Sequence, residues 1–152
     1  MIRKHAGLVI ASIVAVLCMA IYLWSPIKIT TYKLPANART GWYVIEYENP
    51  QCQSLRHIGM WRTFEYPPSG YLCTSSKPAM KWEYRRFYID HDTAHDLRKE
   101  GKIYREETLF PDQYQCKTQF QVFWYGPGED LRSNPRAGDR LHEMILQHHP
   151  EC

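Results

Sequence analysis

The first hydrophobic run of the chain, Ala6 to Trp24, constrains its organisation more than any other stretch. The run contains nineteen residues, with no charged residue and no proline. As an α-helix it would be about 28 Å long, close to the thickness of the hydrocarbon core of a bilayer. The sequence therefore predicts a signal anchor over residues 1–24, a single transmembrane helix with the lipid bilayer as its partner.

Two other fates of this segment stay open. A short basic start before an apolar run is also typical of a cleaved signal peptide. The small residue Ala20 offers only a weak cleavage site, because the run stays apolar for four more residues. Lipidation of Cys18 would require a small residue before it, and Leu17 is a poor fit. An uncleaved anchor is therefore the favoured interpretation.

The cysteines after the apolar run indicate which side of the membrane the rest of the chain occupies. Basic residues flank both ends of the run, so charge does not decide the orientation. Four cysteines follow the run, and paired cysteines persist in oxidising compartments. We therefore expect a bacterial inner-membrane protein whose residues 25–152 are periplasmic. The four residues are Cys52, Cys73, Cys116 and Cys152.

The charge balance excludes one class of partner. The chain has 19 basic and 16 acidic residues, and without Arg3 and Lys4 the outer part has 17 against 16. A nucleic-acid partner requires a clustered positive surface, which this balance does not provide. The 128 residues after the first 24 suffice for one domain with a core.

Strand-like segments dominate the outer part. Residues 25–40 contain two prolines and no periodicity, and they predict an extended tether. Residues 41–48 are apolar on both faces, which is typical of a central strand buried on both sides. In residues 119–125, Phe120, Val122 and Trp124 alternate with glutamines. The six predicted strands are 41–48, 59–66, 71–74, 82–90, 102–110 and 119–125.

The end of the chain has helical periodicity instead. Glu129 and Asp130 follow a glycine-proline break and are expected to begin a helical turn. Apolar residues at helical spacing then predict an amphipathic helix within residues 135–152. The pattern indicates a mainly β domain over 41–134, a β-sandwich or bent antiparallel sheet, with the helix covering an edge or open face. The helical positions are Ala137, Leu141, Met144, Ile145 and His148.

Several short motifs resemble those of a family of small bacterial domains of unknown function, found secreted or membrane-anchored. The match covers roughly residues 32–131 and omits the terminal helix. The resemblance implies an extracytoplasmic β-rich domain and brings no activity, cofactor or catalytic residue. The motifs are Gly41-Trp42 with Ile45 and Tyr47, Pro50-Gln51-Cys52, Gly70-Tyr71-Leu72-Cys73-Thr74-Ser75, and Val122-Phe123-Trp124-Tyr125-Gly126 before Glu129-Asp130.

Four cysteines allow three disulfide pairings. The resemblance places Cys52 and Cys73 in linked motifs and so implies a Cys52–Cys73 disulfide. The remaining pair, Cys116 and Cys152, would hold the C-terminal helix to the domain. The alternative is a zinc site made of four thiolates, but the Cys-x2-Cys spacing typical of such sites is absent.

Two histidine clusters are weak candidates for a metal site. His91 and His95 would share a helix face, and Asp96 could add an oxygen ligand. A polar surface loop is the simpler interpretation of that segment. His142, His148 and His149 form the second cluster, and we interpret His148 and His149 as a solvated helix end.

No arrangement in the sequence is typical of catalysis. A nucleophile elbow is absent, and nothing in the sequence places the possible base His57 near a serine. Glu106 and Glu107 point to opposite faces of a strand, and either is expected to pair across strands with Arg85 or Arg86. We therefore assign no catalytic or cofactor-binding residue.

The sequence favours a non-catalytic protein-binding module of the bacterial envelope. One specific version is an immunity protein that acts against a toxin in the periplasm, an analogy from architecture alone. The other alternative is an envelope domain that binds a metal or a ligand through His91, His95 and Asp96.

Overall fold

A computed structural model describes residues 2–24, 28–55, 57–78, 83–109 and 118–150. Three helices and eight strands lie in these ranges. The helices are α1 (Ile2–Trp24), α2 (Gly128–Ser133) and α3 (Ala137–His148). The strands are β1 (Lys28–Leu34), β2 (Gly41–Glu46), β3 (His57–Ile58), β4 (Trp61–Glu65), β5 (Tyr71–Cys73), β6 (Glu83–Ile89), β7 (Ile103–Leu109) and β8 (Phe120–Tyr125).

Helix α1 forms where the apolar run predicts a helix. Its large apolar side chains are exposed along the described part, from 52% at Val14 to 69% at Ile21. Within the ranges that the structure describes, no helix reaches the length and apolarity required to cross a membrane. The transmembrane assignment of residues 1–24 therefore stays a prediction.

The strands form two four-stranded sheets with the helical segments 128–148 on one outer face. Sheet A has the strand order β3-β4-β1-β6, and sheet B has the order β5-β2-β8-β7. One core fills the space between the sheets, and a second core lies between sheet B and helices α2 and α3. The prediction of a mainly β domain with a covering C-terminal helix is confirmed.

Both sheets are mixed, so the predicted alternative of a bent antiparallel sheet is wrong. Strand β1 is parallel to both β4 and β6, and β2 is parallel to β5. The chain runs from β4 in sheet A to β5 in sheet B and returns to sheet A as β6. Because these strands alternate between sheets, neighbours within a sheet are often not consecutive in the sequence.

The tether predicted for residues 25–40 is wrong for residues 28–34, which form β1. This strand is internal to sheet A, with β4 on one side and β6 on the other. Tyr32 and Leu34 are almost completely buried in the core between the sheets. In β1, Thr30, Tyr32 and Leu34 alternate with residues on the outer face, which is the pattern of a strand. The flanking prolines favoured the interpretation as a tether instead.

Strands β2 and β8 are buried on both faces, as the sequence predicts for the former. Val44 and Val122 face the helices, whereas Ile45 and Phe123 face sheet A. All four side chains have no measurable exposure. The predicted alternation of β8 is confirmed on the helix side, but its opposite face is also buried. Gln121 lies on that face and is 4% exposed.

Replacement of Tyr32 by alanine tests whether β1 is part of the core. Its ring stacks on Phe64 at 5.0 Å and on Phe87 at 4.5 Å between ring centroids. Tyr32→Ala should lower the free energy of unfolding by about 3–5 kcal/mol, as for other buried aromatic residues. Urea unfolding of the full chain in detergent measures this loss. Thr31→Ala, on the outer face of the same strand, should lower the free energy of unfolding by less than about 1 kcal/mol. Equally small losses in both variants would contradict the placement of β1 in the core.

Candidate functional site

A cleft of about 730 Å³ opens beside the disulfide, where the edges of the two sheets approach each other. We call it the disulfide cleft. Its size lies in the range of small-molecule and peptide sites. It is lined by Cys52, Gln53, Ser54, Leu55, Ile58, Trp61, Thr63, Glu65, Leu72 and Cys73.

Incomplete strand pairing creates this cleft. Strand β3 pairs with Trp61 and Arg62 only, so the rest of β4 has no neighbour on that side among the described residues. Strand β5 is the edge of sheet B and pairs with β2 alone in the same ranges. Pro67 and Pro68 lie in the turn that carries the chain from β4 to β5. Proline has no backbone donor, so it ends a strand and favours such a turn.

The disulfide holds the rim of the cleft in place. Cys52 and Cys73 are bonded, with Cα atoms 5.8 Å apart, which confirms the predicted pairing. The Thr74 hydroxyl donates to the Gln53 carbonyl oxygen at 3.0 Å, and the Leu55 amide donates to Ser76 Oγ at 2.8 Å. The loop is therefore fastened to the end of β5. Cys116 and Cys152 lie outside the described residues, so their pairing stays a prediction.

The cleft presents apolar side chains to solvent. Ile58 is 62% exposed and Trp61 is 42% exposed, although both lie on strands. Leu55 and Leu72 also line the cleft, and they pack against the core between the sheets. Among the residues that the structure describes, Glu65 is the only charged one that lines the cleft. Its side chain is 71% exposed and pairs with Lys33 at 3.5 Å. An exposed ion pair of this kind contributes little to stability, so Glu65 remains available to a ligand.

Charged residues also connect the two sheets on their inner sides. Glu83 is 3% exposed and pairs with Arg62 at 2.9 Å and Arg85 at 2.7 Å, and Arg85 in turn pairs with Glu106. The sequence predicts that Arg85 or Arg86 pairs with Glu106 or Glu107 across neighbouring strands, and Arg85–Glu106 is one of these pairs. The pair exists, but it connects β6 in sheet A with β7 in sheet B. Buried charges are tolerated when paired in this way.

Gln121 joins this network to the tyrosines of the core. Its Oε1 accepts hydrogen bonds from the hydroxyls of Tyr47 at 2.7 Å and Tyr32 at 3.2 Å, and its Nε2 donates to Glu106 at 3.1 Å. Burial raises the pKa of both tyrosines, because the charged phenolate loses its hydration. Both hydroxyls therefore stay protonated donors at physiological pH. The network is structural, since its central groups are shielded from solvent.

The interpretation of His148 and His149 as a solvated helix end is wrong for His149, whereas His148 is exposed at the last residue of α3. The ring of His148 stacks on Tyr71 with centroids 3.8 Å apart. His149 is 12% exposed, and its Nε2 lies 2.9 Å from Oε1 of Glu46. Oε2 of Glu46 accepts a hydrogen bond from the Tyr71 hydroxyl at 2.9 Å. These contacts attach the end of α3 to β2 and β5.

The candidate metal ligands do not come together. Residues 90–101 form turns rather than the helix that would align His91 with His95. The Asp96 carboxylate instead accepts hydrogen bonds from the backbone amides of Phe87 and Arg98, both at 3.2 Å. Among the residues that the structure describes, no group of three or more candidate ligands could hold a metal ion.

His95 has a different partner. Its Nδ1 lies 2.9 Å from Oδ2 of Asp92, in an exposed turn. This hydrogen bond raises the pKa of His95 and lowers the pKa of Asp92. The arrangement is typical of a turn held by its own side chains.

His57 and Ser76 line a common small cavity of about 260 Å³. Ser76 Oγ accepts the Leu55 amide at 2.8 Å, and no carboxylate lines this cavity within the described ranges. Nucleophilic catalysis needs a base bonded to the nucleophile and a group that orients the base. His57 and Ser76 do not form that constellation.

Sequence reasoning missed the disulfide cleft and the Glu46–His149 contact. Trp61 was the available signal for the cleft, since an aromatic residue beside a turn-rich loop is a candidate anchor for an interface. Nothing in the sequence connects Glu46 with His149, because their contact depends on where helix α3 lies across sheet B.

Comparisons with known proteins support the fold alone. No protein-family model matches the chain, and no curated protein matches it. The chain is similar to a protein from Bacillus anthracis that is provisionally named a lipoprotein, known from a crystal structure at 2.75 Å. The similarity covers 80% of this chain and 94% of that chain, with 11% sequence identity and a TM-score of 0.57.

Removal of the disulfide should destabilise the domain and loosen the cleft. The bond closes a loop with a sequence separation of 21 residues. The double variant Cys52→Ser, Cys73→Ser should lose about 3 kcal/mol of unfolding free energy, as expected for a loop of that length. Urea unfolding of the full chain in detergent measures the loss. Cys18→Ser, in helix α1, is the matched control. An equal loss of unfolding free energy in both variants would contradict a stabilising role of the disulfide.

Proposed function

We propose that this chain is a membrane-anchored, extracytoplasmic module that binds an extended segment of a partner protein in the disulfide cleft. The observation that carries the proposal is Trp61, an aromatic residue exposed on a strand whose outer edge has no partner beyond Arg62 among the described residues. Aromatic residues of this kind anchor protein interfaces. No cofactor enters the proposal.

The binding mode that we propose is strand addition to β4. A free strand edge presents unpaired backbone donors and acceptors, which an extended peptide can satisfy. The residues of β4 that line the cleft are Trp61, Thr63 and Glu65, which alternate along the strand. A peptide lying along this edge would place alternate side chains towards the apolar residues of the cleft.

The lining of the cleft also suggests the chemistry of the bound segment. Apolar or aromatic side chains fit between Trp61, Ile58 and Leu72. A basic side chain fits opposite Glu65, which could exchange its weak partner Lys33 for the ligand. We therefore propose a segment with apolar residues at alternate positions and one lysine or arginine.

Selection of peptides by the full chain in detergent tests this proposal. Peptides with alternating apolar residues and one basic residue should be enriched from a random library. Trp61→Ala should weaken their binding at least about tenfold, which corresponds to roughly 1.4 kcal/mol. Fluorescence anisotropy of labelled peptides measures the affinity. Tyr84→Ala is the matched control, because Tyr84 is 47% exposed on β6 and does not line the cleft.

Backbone methylation of the peptide tests the binding mode. In strand addition, alternate amides of the peptide donate to β4 and the intervening amides face solvent. N-methylation should therefore abolish binding at alternate positions and have little effect between them. Uniform tolerance of methylation would exclude strand addition, and failure to select any peptide would exclude the cleft as a peptide site.

The proposed anchor is helix α1. Its apolar side chains remain exposed in the described part, including 67% at Val16 and 56% at Leu17, so the helix gains little burial from the domain. Lipid would cover this surface. The disulfide supports an oxidising compartment. The similar protein from Bacillus anthracis carries the name lipoprotein, and that name also suggests the envelope for this chain.

Cell fractionation tests the anchor. The full chain should stay in the membrane fraction after a carbonate wash, because a helix buried in lipid is not released by high pH. Deletion of residues 2–24 should release the domain. A C-terminal tag should be digested by protease in spheroplasts but not in intact cells. A shortened N-terminus in the mass spectrum would indicate cleavage instead, and a lipid mass lost in Cys18→Ser would indicate lipidation.

A further inference from the structure

A second cavity, whose lining residues differ from those of the disulfide cleft, lies between β7 and the helices on sheet B. Its volume is about 640 Å³. We call it the arginine pocket. It is lined by Trp42, Tyr104, Arg105, Leu131, Arg132, Asn134, Ala137 and Gly138. Both charged residues among these lining residues are arginines.

A β-bulge directs Arg105 into this pocket. Tyr104 pairs with Trp124 and Glu107 pairs with Val122, so β7 contains one more residue than β8 between these pairs. Ile103 packs in the core between the sheets, whereas Leu109 lies in the helix-side core. Regular alternation would place both on the same face. The extra residue therefore reverses which face of sheet B the later side chains of β7 lie on. The adjacent residues Tyr104 and Arg105 both line the pocket.

The bulge places Arg105 in an uncommon backbone conformation. Its φ is +48°, in the left-handed region that non-glycine residues rarely adopt. Such conformations cost free energy and persist where the surrounding structure enforces them. Here the surroundings are the two cores on either side of β7. This conformation occurs at the bulge that brings Arg105 into the lining of the pocket.

Arg132 provides the second guanidinium. It lies on α2, with Cζ 5.8 Å from the centroid of the Tyr104 ring. Arg132 forms no ion pair with any carboxylate in the part of the chain that the structure describes. Arg105 pairs with Glu107 at 2.6 Å, but both side chains are substantially exposed, at 55% and 41%. A pair at this exposure is weak, so an incoming anion can compete for Arg105.

The rest of the pocket lining is mostly apolar, with Asn134 as a polar member. Trp42 is 6% exposed, and its Nε1 donates to the Ala137 carbonyl oxygen at 2.7 Å, which fixes the start of α3. A Cβ atom at Gly128 would lie 2.8 Å from the Tyr104 ring, so glycine at this position allows the ring to lie against the backbone of α2. Tyr104 is 38% exposed, so part of the residue is open to a ligand.

We propose that the arginine pocket binds a small aromatic or apolar oxyanion, a carboxylate or a phosphate monoester. The planar guanidinium groups of Arg105 and Arg132 match the geometry of carboxylate and phosphate oxygens. The Tyr104 ring and Leu131 receive the apolar body of the ligand. Nothing in this proposal depends on the peptide site, since the two cavities share no lining residue.

Calorimetric titration of the full chain in nonionic detergent tests the proposal. The probes are benzoate, phenyl phosphate, benzamidine and glycerol 3-phosphate. Benzoate and phenyl phosphate should bind, whereas benzamidine has the same shape with a positive charge and should not. Glycerol 3-phosphate has the charge of a lipid headgroup without an aromatic ring, and it should bind at least about tenfold more weakly than phenyl phosphate.

Variants identify the residues responsible. Arg132→Gln should weaken phenyl phosphate binding at least about tenfold, and Arg132→Lys should give an intermediate loss, because lysine retains the charge without the planar fork. Arg136→Gln is the matched control, since Arg136 is a neighbouring arginine outside the pocket. Circular dichroism confirms that each variant is folded. Equal binding of benzamidine, unchanged affinity in Arg132→Gln, or absence of binding by both anions would overturn the proposal.

Discussion

The burial of β2 and β8 on both faces is the constraint on which the rest of the structure depends. These strands pair along their whole length, from Gly41 opposite Tyr125 to Glu46 opposite Phe120. A pair of strands with two apolar faces must be covered twice, since each exposed face would cost roughly 25 cal/mol per Å² of apolar surface. Sheet A covers one face and helices α2 and α3 cover the other. The three-layer arrangement follows from this requirement.

The same burial determines where the polar contacts must form. Glu46 and Gln121 lie on these two strands and are 2% and 4% exposed. A buried polar group without a partner costs several kcal/mol, so each must be satisfied by groups from elsewhere. Gln121 is bonded to tyrosines of β1 and of the segment after β2, and Glu46 is contacted by His149 beyond α3. Polar side chains thereby join all three layers.

Both candidate sites lie where this regular packing ends. The disulfide cleft occupies the edge at which β3 stops pairing with β4. The arginine pocket occupies the bulge at which β7 changes faces against β8. Irregularities at strand edges and bulges redirect side chains and leave backbone groups available, which is why they are often functional. The centre of the domain, by contrast, is packed against a core on each face.

The sequence by itself determined the apolar first helix, the six segments recognised as strands and the amphipathic helix α3, because each has a local hydrophobic periodicity. Its residues also indicated Glu129 and Asp130 at a helical turn. Only the tertiary structure decided that residues 28–34 belong to sheet A, that the sheets are mixed, and that Arg85 meets Glu106 between sheets. It also decided that His149 contacts Glu46 and that Arg105 and Arg132 line one pocket. These contacts join residues far apart in the sequence, and the order in which the chain alternates between sheets leaves no periodic signal in any single segment.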